Sequence, residues 1–144
     1  MQDYEFTNSV PYLLNRAGMA IGVRFTERIR SHGISLPMYR VLAVLRQTGC
    51  KNLGELSSMV SKGQSSLSRI IGKMQKMGLV TRVRPLENAR LVQIDLTKAG
   101  EVLADELMPI AIHFENVISE PMSEDQIEML KSMLRQIYGQ IPKL

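Results

Sequence analysis

The sequence predicts a mainly α-helical fold with one small β-hairpin: a winged helix-turn-helix carrying extra helices at its N- and C-terminal ends. Three observations predict it. After Gln64, the apolar residues Leu67, Ile70, Ile71 and Met74 recur at i, i+3, i+4 and i+7, one stripe of a helix. From Val92 to Leu96 the period changes to two, with Val92, Ile94 and Leu96 alternating with Gln93 and Asp95, a half-buried strand. Long apolar stripes occupy both chain ends, where a 144-residue chain would bury them across a dimer interface.

Taken in order, a first helix is expected from about Ser9 to Ser31, closed by Gly33. Its stripe is Val10, Leu13, Leu14, Ala17, Ile21, Phe25 and Ile29, while Arg16, Arg24, Arg28 and Arg30 form a solvated face. Ser35 reads as the N-cap of a second helix, with Pro37 in its first turn and Met38, Val41, Leu42 and Leu45 facing inward until Thr48 and Gly49. Asn52-x-x-Glu55 opens a short helix with Leu53, Leu56 and Val60 inward. Only Ser61 to Gln64 separate it from the next helix, the spacing of a helix-turn-helix.

That next helix is basic on its outer side. At about 100° per residue its outer face carries Ser65, Arg69, Gly72 and Lys76, with Ser68 and Lys73 on the shoulders and no acid. Small hydroxyls let a helix sit close to base edges, and Arg and Lys serve phosphates and guanines. Met77-Gly78 closes the helix, and Leu79 to Arg84 pairs with Val92 to Leu96 around a loop from Pro85 to Arg90. This hairpin is the wing, tipped by Arg84 and Arg90. Thr97 then caps a helix to about Ser119 with Val102, Leu103, Leu107, Ile110, Ala111, Phe114 and Val117 apolar and Pro109 inside it. Ser123-x-x-Gln126 opens a last helix with a seam of Ile127, Leu130, Leu134, Ile137, Tyr138 and Ile141.

Charge localises the function. From Lys62 to Arg90 there are seven basic residues (62, 69, 73, 76, 82, 84 and 90) against Glu87 alone. From Thr97 onward four basic residues (98, 131, 135 and 143) face eight acids (101, 105, 106, 115, 120, 124, 125 and 128). A basic middle with an acidic end points to a nucleic-acid-binding surface. One cysteine, Cys50, suits a reducing cytoplasm. No secretory signal or membrane span is visible. Catalysis has no support: His32 and His113 have no metal-ligand spacing with Cys50 or paired carboxylates, and no phosphate loop or nucleophile motif appears. No cofactor or metal is expected.

The chain resembles the MarR-type winged-helix transcriptional regulators over nearly its whole length. The resemblance rests on Leu53-Gly54-Glu55-Leu56-Ser57, Ser65-Ser66-Leu67-Ser68-Arg69-Ile70-Ile71, Met77-Gly78-Leu79-Val80-Thr81-Arg82, the wing ending at Arg90, and Leu96-Thr97-Lys98-Ala99-Gly100. It implies one domain over residues 1–144, with a DNA-binding lobe over about 34–97 and dimerisation helices over about 8–32 and 98–144. It also implies a homodimer that places recognition helices in successive major grooves of double-stranded DNA and wings in the flanking minor grooves. On that basis Gln64, Ser65, Ser66, Ser68 and Arg69 are expected to read bases or adjacent phosphates. Lys62, Lys73 and Lys76 neutralise phosphates, and Arg84, Asn88 and Arg90 act from the wing. The family's wing usually reads Asp-x-Arg, whereas this chain has Asn88-Ala89-Arg90, so the acid that holds the wing by a salt bridge is an amide. Gly72 stands where the family often has an acid, either for close phosphate approach or by drift.

Repression relieved by a small aromatic or anionic effector is the function implied. Arg16, Tyr39 and His113 are able to meet an anion, but no motif assigns the pocket. Two alternatives remain at this stage: the same fold switched by oxidation of Cys50, and a winged helix used for protein contacts.

Overall fold

The computed structural model describes residues 3–87 and 91–144. Asn88, Ala89 and Arg90, and with them two of the expected wing residues, lie outside the described residues. The elements run α1 (Val10–Ile29), α2 (Leu36–Thr48), β1 (Lys51–Asn52), α3 (Leu53–Val60), α4 (Gln64–Lys76), β2 (Val80–Val83), β3 (Gln93–Leu96), α5 (Lys98–Ser119) and α6 (Glu124–Gln140). The described residues fall into two compact units, one ending at Leu107 and one beginning at Met108. Among them no helix is long and apolar enough to cross a membrane.

Local chemistry sets the helix starts. The Ser9 hydroxyl accepts from the Tyr12 amide, Ser35 from Met38, and the Asn52 carboxamide from Glu55 at 2.8 Å. Each replaces one of the amide partners that a first helical turn lacks. At Asn52 the return bond of a capping box is altered: the Asn52 side-chain amide, not its backbone, donates to Glu55 Oε1 at 2.7 Å. Ser123 and Gln126 form the complete box at α6.

The first unit's core is made by the expected stripes. Phe25 and Ile29 of α1, Met38, Val41, Leu42 and Leu45 of α2, Leu56 and Val60 of α3, and Leu67, Ile71 and Met74 of α4 are all buried. Val80 and Ile94 of the wing strands and Ala104 and Leu107 of α5 complete it. Ile70, at the edge of the α4 stripe, is only half-buried. The N-terminal half of α1 contributes little, and Val10, Leu13 and Ile21 stay exposed. On α5 the expected positions shift: Val102 and Val117 are exposed, while Gly100 and Ala104 are buried instead.

The sheet has three antiparallel strands in the order β1-β3-β2, not the two-stranded hairpin expected. Lys51 pairs with Ile94 and Asn52 with Gln93, so the segment before α3 caps the outer edge of the wing's second strand. On the other edge Val80 pairs with Leu96 and Val83 with Gln93. Gln64 also differs from expectation. It is the first residue of α4, with Gly63 at the N-cap, and not part of the turn.

In the second unit α6 has no buried residue, and its Leu134 and Tyr138, with Ile141 just after it, are exposed. Lys131 Nζ and Glu115 Oε1, 2.8 Å apart, join α6 to the end of α5.

Two glycines with opposite surroundings give a stability test. A Cβ on Gly100 would overlap the Leu79 carbonyl oxygen and meet Leu96 Cδ2 at 3.1 Å, whereas one on Gly72 meets nothing within 4 Å. Gly100→Ala is expected to destabilise by about 1–3 kcal/mol or more through overpacking. Gly72→Ala is expected to stabilise by up to about 1 kcal/mol through helix propensity. Denaturant midpoints check both, and equal shifts of one sign would contradict the packing described.

Candidate nucleic-acid interface

The helix-turn-helix turn is held by a clamp between α3 and the turn residue Lys62. The Lys62 amide donates to the Ser57 carbonyl at 3.2 Å, and the Ser57 hydroxyl donates back to the Lys62 carbonyl. Between them Ser61 takes a left-handed conformation, φ 56°, uncommon for a residue with a Cβ. The reversal needed to start α4 three residues later is concentrated there. Lys62 stands exposed on the turn.

Helix α4 is seated by Leu67, Ile71 and Met74, none with measurable solvent exposure. That stripe directs the opposite face outward, and the expected residues follow it. Gln64, Ser65, Arg69, Lys73 and Lys76 are exposed, and Ser66 and Ser68 are half-buried on the shoulders. The helix therefore offers hydroxyl, carboxamide, guanidinium and ammonium groups on one side, with no carboxylate in its sequence to offset them. Such a face can meet phosphates and the acceptor edges of guanines.

The C-terminus of α4 is closed by a Schellman arrangement. The Leu79 amide donates to the Met74 carbonyl and the Gly78 amide to the Gln75 carbonyl, both at 3.0 Å, with Gly78 at φ 76°. This turn feeds directly into β2. Arg84 follows the strand and is exposed, with its charge on the wing side of the lobe. The same turn is held from the far side of the sheet: Thr97 donates its amide to the Leu79 carbonyl at 3.0 Å and its hydroxyl to the Gly78 carbonyl at 2.6 Å. The Thr97 hydroxyl in turn accepts from the Gly100 amide at 3.1 Å, capping α5 as expected.

Two contacts of this site were not anticipated by residue pattern. Arg82 of β2 sends Nη2 to the Ser68 carbonyl of α4 at 3.1 Å. Arg46 of α2 grips Asp105 of α5 with two bonds, Nε to Oδ1 at 2.9 Å and Nη2 to Oδ2 at 3.1 Å. The only sequence signal for the second was the position of each charge on its helix's outer side.

Cys50 is half-buried, and its thiol donates to Gln93 Oε1 at 3.4 Å. Burial and then the nearby Asp95 charge push the thiol up from its ordinary range, the opposite of the shift that activates a cysteine. Tyr39 packs its ring on Phe25, centroids 4.6 Å apart, and burial raises its phenol. An open groove of about 610 Å³ runs between α1 and the start of α2, lined by Gly18, Met19, Gly22, Val23, Thr26, Leu36, Arg30 and Arg40 among others. None of Arg16, Tyr39 and His113 lines it.

Residues 34–92, the segment from the start of α2 to the wing, match the MarR family. Over that segment the chain is similar to the MarR family. It is 25% identical over 124 residues to the HTH-type transcriptional regulator FarR of Neisseria gonorrhoeae, covering 86% of this chain and 85% of FarR. A MarR family transcriptional regulator from Silicibacter pomeroyi DSS-3 is 27% identical with a TM-score of 0.82, covering 96% of this chain and 99% of that one. The structure of Bordetella bronchiseptica BpsR, described for regulation of its DNA binding by 6-hydroxynicotinic acid, superposes with a TM-score of 0.84 at 21% identity, over 95% of this chain and 98% of BpsR. The winged-helix architecture of this chain is thus that of the solved structures it resembles.

The Arg46–Asp105 pair makes a pH test. Its hydrogen bonds with Arg46 hold the Asp105 carboxyl below the usual carboxylate range. A depressed folded-state pKa contributes stability that is present above the unfolded value and lost as pH falls through the folded one. Asp105→Asn is therefore expected to lower the thermal midpoint modestly at neutral pH, the pair being exposed. The gap to wild type should close on acidification below about pH 4. A gap that persists into acid would contradict the assignment.

Proposed function

We propose that the protein is a homodimeric, sequence-specific DNA-binding transcriptional repressor that binds a pseudo-palindromic operator and is released by a small-molecule effector. One observation carries the reading. Helix α4 is locked by a buried stripe on one side and bears exposed Ser65, Arg69, Lys73 and Lys76 on the other, beside a wing strand. In this reading Gln64, Ser65, Ser66, Ser68 and Arg69 read bases or adjacent phosphates. Lys62, Lys73 and Lys76 neutralise phosphates, and Arg84, Asn88 and Arg90 reach the flanking groove from the wing.

The dimer follows from unsatisfied apolar surface. The outer half of α1 and the seam of α6 leave Val10, Leu13, Leu134, Tyr138 and Ile141 exposed, and a second copy of the same helices supplies a matching cover. Residues 34–97 then serve as the DNA-binding lobe and the flanking helices as the dimerisation segments. Two-fold symmetry asks for half-sites about one helical turn apart. For the effector, the aromatic acid named with BpsR and the groove lined by Arg30 and Arg40 beside Glu27 support a small aromatic anion that meets the groove's apolar lining and places its charge on a guanidinium. The raised thiol of Cys50 disfavours an oxidation switch, and the acid-free face of α4 disfavours a protein-contact role.

Gel-shift titration on the operator tests the assignment. Arg69→Ala is expected to cost roughly 1–3 kcal/mol of binding and to relax base preference, and Lys76→Ala to weaken all duplexes alike. Unchanged binding for both variants would overturn it.

A further inference from the structure

Helix α4 and the wing are joined covalently at the turn at Gly78, and the base of the hairpin is fixed there by Thr97, by β1 on the edge of β3 and by buried Val80 and Ile94. The Arg82 side chain adds a tie from the exposed part of β2 to the body of α4. It leaves β2 two residues after Val80, where the strand has already left the core, and Thr81, Arg82 and Val83 are all exposed. Its Nη2 reaches back to the carbonyl of Ser68, 14 residues earlier and about two turns before the end of α4, at 3.1 Å. The bond is charge-assisted, since a guanidinium keeps its charge at any pH the fold survives. It also lands on the backbone of a shoulder residue of the proposed base-reading face.

We propose that Arg82 is a positioning residue that sets the angle between the recognition helix and the wing, acting through the Ser68 carbonyl and not through a phosphate. The inference rests on the DNA-binding reading given above. With the strut in place, seating α4 in the major groove also aims the wing. Without it, the part of the hairpin beyond Val80 is less restrained against α4, and each complex must freeze the added motion, a cost met only where both elements engage together. Operator binding should suffer more than non-specific binding, which needs no fixed angle.

The test uses the protein with Arg82→Met, which keeps an unbranched apolar stem but removes every donor and the charge. Affinities for operator and for random duplex are measured over a range of salt, together with hydrogen exchange of the free protein. The expected result is roughly tenfold weaker operator binding with an unchanged salt slope, unchanged random-duplex affinity and an unchanged thermal midpoint. Exchange at the β2 and β3 amides should rise while that of α5 stays as in wild type. A slope smaller by about 0.9 with equal loss on both duplexes would overturn the proposal, because it marks a lost phosphate contact. Unaltered operator affinity or unaltered β2–β3 exchange would also overturn it. If wild-type protein bound no duplex, the DNA-binding reading would fail separately, and the exchange comparison would still decide whether Arg82 restrains the wing.

Discussion

The architecture depends on how closely one backbone passes another at Leu79. Its carbonyl accepts the Thr97 amide, and the first turn of α5 lies so near that only a glycine fits at position 100. The Gly78 carbonyl accepts the Thr97 hydroxyl at the same point. The end of α4, the start of β2, the end of β3 and the start of α5 are therefore pinned within a few ångströms. A protein that must hold a helix outward against a polyanion needs such a joint, because α4 has only a narrow apolar stripe for its own support. The ion pair of Arg46 with Asp105 adds a second tie between α5 and the lobe, on the surface and correspondingly weaker.

Packing and charge are segregated on α4 to an unusual degree for a short helix. Leu67, Ile71 and Met74 are fully buried, and the other side carries Arg69, Lys73 and Lys76 with no compensating acid on the helix. Clustered like charge on one element is unfavourable for the isolated fold. The wing's own basic residues, Arg82 and Arg84, add to it. The acidic excess lies after Thr97, away in sequence from this face. A bound polyanion relieves it, and this is the physical sense in which the lobe is incomplete alone.

Much of this was legible in the amino-acid order, for reasons that are local. Ser9, Ser35, Asn52 and Ser123 cap helices through bonds spanning three residues, and the stripes of α2 and α4 are set by helical periodicity. What escaped was settled by distant partners. Lys51 and Asn52 form a strand only because β3 lies beside them, and two residues carry no period of their own. The Arg82 bond to Ser68 and the Arg46 bonds to Asp105 join residues 14 and 59 positions apart, and neither follows from spacing. On α5 the apolar pattern pointed to Val102, but the close approach at Gly100 turns the helix so that Gly100, Ala104 and Leu107 face the core. Gln64 looked like part of the turn because the αL conformation of Ser61, which ends the reversal early, is rare for serine.

The most direct test of the central claim, that α4 and its wing address a duplex once per subunit, is selection of bound fragments from a random-sequence double-stranded pool by the purified protein. The account predicts enrichment of a two-fold-related motif with half-sites about one helical turn apart. Recovery of unenriched sequence, or of a single motif with no symmetry mate, would contradict it.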